Sequence, residues 1–131
     1  MSHHLLTIPA PCDWLRLNGG HGNRYAKADL IRQWRQAAAW QAKRQHLPRL
    51  PIIVDGGLVR IVATVHLTTK PSRWEATNWL PTAKACVDGL VDAGVLVDDS
   101  NRYVIGPDMR AGDQWADAVL VLTFTEQGAS A

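Results

Sequence analysis

The chain has 131 residues, 47% of them apolar, and a formal net charge of +2. That length suits one domain with its own core, and the apolar fraction excludes a disordered charged tail. No apolar run approaches the ~20 residues of a membrane-spanning helix. The N-terminus lacks the basic-then-apolar pattern of a signal peptide. Two cysteines, Cys12 and Cys86, are too few for a disulfide framework or a thiolate zinc site. A reducing cytoplasm is the expected compartment, and one domain is expected over 1–131, with loose ends near 1–4 and 127–131.

The charges are unevenly laid out. Between His21 and Arg49 lie Arg24, Lys27, Arg32, Arg35, Lys43, Arg44 and Arg49, against Asp29 alone. Aspartates 88, 92, 98, 99, 108, 113 and 117 crowd the second half, with Arg102 and Arg110 among them. This layout suits a protein that holds a polyanion and coordinates cations, although charges also simply solvate a surface.

In chain order, residues 5–8 read as a short strand stopped by Pro9 and Pro11. The glycine-rich segment 18–23 is a loop without P-loop spacing. Residues 25–46 lack Pro and Gly and read as a helix ended by Pro48 and Pro51. Leu30, Ile31, Trp34, Ala37, Ala38 and Gln41 follow the spacing of a buried stripe. After an Asp55-Gly56-Gly57 turn, residues 58–68 alternate as a strand, with Val59, Ile61, Ala63, Val65 and Leu67 on one face. His66, on the other face, is expected to be a half-exposed surface residue.

A polar and aromatic loop covers 70–80, and Pro81 opens a helix over 81–93 that Gly94 stops. Ala83, Val87, Leu90 and Val91 form its apolar stripe, a candidate for core or dimer contact. Cys86 beside that stripe reads as a packed thiol. Asp98 to Asn101 is a turn, 102–106 a short strand broken by Gly106-Pro107, and 117–125 a last strand. The expected architecture is α+β: one mixed sheet with two main helices packed on it.

No Ser-His-Asp or Cys-His arrangement stands out, and the histidines lack metal-ligand spacing. The informative residues are carboxylates: Glu75 in the loop after the main strand, Asp88 and Asp92 one turn apart on a helix, and Asp98 with Asp99 beyond it. Crowded carboxylates repel each other unless a cation neutralises them, and hard oxygen donors select Mg2+ or Mn2+. Asp-Asp in a turn is also an ordinary turn pair. Trp74 and Trp79 flank the loop, suited to packing or to wedging against an unstacked base.

The stretch from Trp74 to Ser100 resembles the core of the RusA-type Holliday junction resolvases. The resemblance rests on Asn78 closing the acidic loop, Lys84 and Asp88-Gly89-Leu90 on the helix, Ala93-Gly94, and the Asp98-Asp99 pair. Gly106-Pro-Asp-Met-Arg110 matches the family's phage and actinobacterial branch, and Leu17-Asn18 with the basic helix resembles its N-terminal part. The resemblance implies a homodimeric, Mg2+-dependent endodeoxyribonuclease that nicks four-way DNA junctions, with Mn2+ a possible substitute and no organic cofactor or membrane partner. It implies Glu75, Asp98, Asp99 and Lys84 as catalytic residues, and Glu75, Asp99, Asp98 and Asp88 as metal ligands. Arg24, Lys27, Arg32, Arg35, Lys70 and Arg73 would then contact DNA phosphates.

Two departures accompany the match. Thr77 stands where better-known members carry a second loop aspartate, and three extra residues separate Asn78 from Lys84. Thr77 motivates an alternative: a DNA-binding protein of the same fold with weak or lost nuclease activity. A small interaction domain whose acids merely solvate it is a third reading, from another class.

Overall fold

The alternating segment after residue 57 forms the sheet's central strand in the computed structural model, which describes residues 3–18, 22–51, 57–70, 74–98 and 103–127. The elements are β1 (His3–Pro9), α1 (Arg24–Arg44), β2 (Leu58–His66), a 3-10 turn (Ala76–Trp79), α2 (Leu80–Asp92), β3 (Val104–Ala111) and β4 (Val119–Gln127). They make the expected mixed sheet with two helices on it. The strand order is β1-β4-β2-β3, with β2 and β3 parallel and the other pairs antiparallel. No helix among the described residues is long and apolar enough to cross a membrane.

Helix α1 starts because the Asn23 side chain accepts from the Tyr25 and Ala26 N–H groups, both at 3.0 Å. Its end differs from expectation. His46 adopts φ +57°, and Leu47 N–H bonds back to Ala42 C=O at 2.9 Å, closing a Schellman turn before Pro48 is reached. Lys43 and Arg44 in the last turn suit the negative end of the dipole. Gly94 ends α2 as expected: at φ +77° it lets Val95 N–H reach Leu90 C=O at 2.9 Å.

Strand β3 continues through Gly106-Pro107 where a break was expected. Between the partners Arg60–Ile105 and Val62–Asp108, β3 spends one more residue than β2, so the dipeptide is absorbed as a bulge. A side chain at Gly106 would put its Cβ 2.5 Å from the Ile61 carbonyl oxygen, so the close approach requires glycine.

One face of the sheet builds the core with both helices. Leu6, Ile61, Leu122 and Phe124 meet Trp34, Ala38, Cys86 and Leu90 there, all fully buried. The α2 stripe lies inside the fold: Ala83, Val87 and Leu90 are core, and Val91 packs partly buried against it. His66 also departs from expectation. It is buried, its ring stacked 3.4 Å from that of Trp115, and its Nδ1 lies 2.9 Å from the Asp113 carbonyl. The expected turns at 55–57 and 98–101 and the C-terminal tail fall largely outside the described residues.

Candidate functional site

The parallel strands β2 and β3 end side by side, and the chain leaves β2 there to enter the loop that carries Glu75. Ligands of α/β sheets gather at such carboxyl ends. Two open grooves lie at this end, and Leu67 and Thr69 line both. The larger, about 670 Å³, runs past Trp14, Arg16, Asp29 on α1, and Trp79. The smaller, about 350 Å³, runs past Lys70, Trp74 and Asp113.

From Trp74 onward the loop is tied into the fold. Trp74 and Trp79 meet edge to face with ring centroids 4.8 Å apart, and Trp79 is buried, so the pair packs. Asn78 holds the N-terminal segment: its carbonyl accepts from Leu17 N–H at 2.8 Å, and its side-chain oxygen accepts from Asn18 N–H at 2.9 Å. Deeper down, the buried Thr82 hydroxyl accepts from Leu15 N–H at 2.8 Å and donates to Leu15 C=O at 2.7 Å. Trp34 Nε1 donates to Asp13 C=O at 2.9 Å. Three segments distant in sequence are therefore locked together around the groove. Asn78 and Leu17-Asn18, both motif residues, are direct partners, a link that their separation in sequence concealed.

Glu75 is exposed and immediately precedes the 3-10 turn, between the two tryptophans that line the grooves. Thr77, also exposed, sits in that turn. Lys84 is exposed on the second turn of α2. Asp98 is exposed in the connection from α2 to β3, after the Leu50–Leu96 bridge, so Glu75 and Asp98 occupy the two connections that flank α2. Asp99 and Arg73 lie outside the described residues. Among the described residues no three His, Cys, Asp or Glu side chains gather into a metal-holding group. Mg2+ needs fewer protein donors, because it keeps several waters and is commonly held by one or two carboxylates plus substrate phosphates. Glu75, next in sequence to the groove-lining Trp74, offers one such exposed carboxylate.

The basic residues divide into two sets. Arg24 and Lys27 are exposed on the first turn of α1, whose Ala26 and Asp29 line the large groove, and the Arg24 guanidinium rests 5.0 Å from the Tyr25 ring. Lys70 lines the small groove. The others have acidic partners within the chain. Arg32 pairs with Asp29. Arg35 bonds Asp92 through Nε at 3.0 Å and a terminal nitrogen at 2.7 Å, which holds its guanidinium charged and raises its pKa, with Asp88 adding to that field. Asp92 thus serves the α1–α2 contact, and Asp88, one turn away, adds to its field.

Compared with known proteins, the chain matches no family model and no curated sequence.

Proposed function

We propose that this chain is a Mg2+-dependent, structure-selective endodeoxyribonuclease that nicks four-way or branched DNA. The observation that carries the reading is the placement of Glu75. It lies in sequence between Trp74 on the smaller groove and Trp79 on the larger, with Lys70 on the smaller groove and the first turn of α1 beside the larger. Glu75 with Asp99, and Asp98 beside it, would hold the ion, a DNA phosphate completing its shell. When bound, the ion would polarise the scissile phosphate and acidify a water. Lys84 would offset negative charge building on the phosphate. Arg24, Lys27, Lys70 and Arg73 would grip the backbone without reading sequence, while Arg32 and Arg35 are engaged by Asp29 and Asp92.

The test uses a labelled synthetic four-way junction and a linear duplex, each with Mg2+ or with EDTA, scored for nicks and for band shifts. The junction should be nicked in Mg2+ and intact in EDTA. Asp99→Asn should abolish nicking and keep the band shift; cleavage by that variant would refute the site. The exposed Thr77, which offers no carboxylate, favours a second reading: junction binding by the same grooves without chemistry. That reading predicts a salt-sensitive band shift and no nick under any condition.

A further inference from the structure

Helix α1 has a further side that neither the core nor the candidate site uses. Where it runs beside the end of α2, two hollows of about 440 and 570 Å³ meet at Gln36 and Ala39 and form one trough. No residue of the trough lines either groove at the strand ends. Its bed is apolar: Ile31, Ala39 and Ala42 on α1, and Val95 beyond α2. Trp40 stands at one end, 62% exposed. Tryptophan is enriched among the anchors of interfaces, and an indole left mostly in water gains by being covered.

We infer that this trough receives an amphipathic helix of another protein, apolar along one face and acidic along its margins. From Ala28 to Lys43 the trough follows α1 for about 22 Å, the length of a helix of about 15 residues laid in a groove. The charge selects an acidic partner. Helix α1 carries six cations, Arg24, Lys27, Arg32, Arg35, Lys43 and Arg44, against Asp29. Asp29 and Asp92 hold Arg32 and Arg35. Lys43 lines the Trp40 end, where no carboxylate lines the trough, and the exposed Arg44 follows it. A glutamate on the partner's margin would meet that uncompensated charge beside an apolar anchor.

A contact of this length and one helix wide is smaller than a permanent interface, so the partner would be held reversibly, with a Kd on the order of 10 μM. A second copy of this chain offers no such helix, because α1 is basic and α2 keeps its apolar stripe in the core. Duplex DNA would answer the cations but give the apolar bed nothing to bury against. Docking here needs neither Mg2+ nor DNA, so it is independent of the nuclease reading.

The test titrates the full chain, without DNA or Mg2+, into fluorescein-labelled synthetic helical peptides of about 15 residues and follows anisotropy. One peptide carries a leucine face flanked by glutamates. A second carries the same face flanked by lysines, and a third keeps the glutamates with glutamine in place of leucine. The first should bind, and the other two should bind about tenfold more weakly or worse. Trp40→Ala should weaken the first about tenfold or more. Lys43→Glu should weaken the first and strengthen the second, and both variants should keep the native circular dichroism spectrum. Leu5→Ala, at an exposed residue of β1, should change nothing. No preference for the first peptide would overturn the inference, as would binding untouched by both Trp40→Ala and Lys43→Glu. A chain that instead binds labelled DNA through Trp40, or self-associates through it, would also overturn it and assign the trough to nucleic acid or to a second copy.

Discussion

Replacing Gly89 with alanine probes the contact that aligns the two helices. A Cβ at Gly89 would sit 2.2 Å from the Arg35 carbonyl oxygen and 2.9 Å from both the Arg35 carbonyl carbon and Cα. Non-bonded heavy atoms prefer roughly 3.5 Å, so α1 and α2 would have to part by about 1 Å across their core. The obstacle is backbone, which cannot rotate aside as a side chain can. The cost therefore belongs at the upper end of the overpacking range, about 3 kcal/mol. Alanine returns about 1 kcal/mol through its better helix propensity, leaving a net loss of about 2 kcal/mol. For a domain of this length that lowers the thermal midpoint by about 8 °C. The assay is thermal unfolding followed by circular dichroism at 222 nm, with calorimetry to confirm a single transition. A midpoint equal to or above that of the natural chain would show that the helices yield freely, and the packing argument would be wrong.

Two further outcomes follow from buried groups. Thr82→Val keeps the side-chain shape but strands both Leu15 main-chain groups in a buried site. About 2–4 kcal/mol should be lost, read as a lower urea midpoint at unchanged slope. Burial, with a smaller contribution from nearby Cys12, pushes the Cys86 thiol far above its ordinary 9.0. The folded protein therefore retains a proton that the unfolded chain releases, so stability is unaffected below pH 9.0 and falls as pH climbs past it. The decline should be shallower in Cys86→Ala, and iodoacetamide should label Cys86 only after denaturation; equal slopes for the two proteins would contradict the assignment.

The sequence by itself determined the elements whose signal is local. The alternation of Val59, Ile61, Ala63 and Val65, the Pro- and Gly-free run ahead of Gln45, and the Pro81 and Gly94 that bracket α2 each act within a few residues, and each became the expected element. The polar and aromatic loop ahead of α2 was legible for the same reason, as a run of residue types. Tertiary structure decided everything that depends on a partner far along the chain. His66 looked like a surface residue until Trp115 stacked over it, and Gly106-Pro107 looked like a strand break until β2 paired across the bulge. Asn78 became a clamp only when Leu17 and Asn18 came within hydrogen-bond reach, and two of the expected phosphate-binding arginines turned out to have aspartate partners on α1 and α2. Backbone propensity acts over three or four residues, whereas burial, pairing and charge neutralisation are set by which distant segments the sheet and helices bring together.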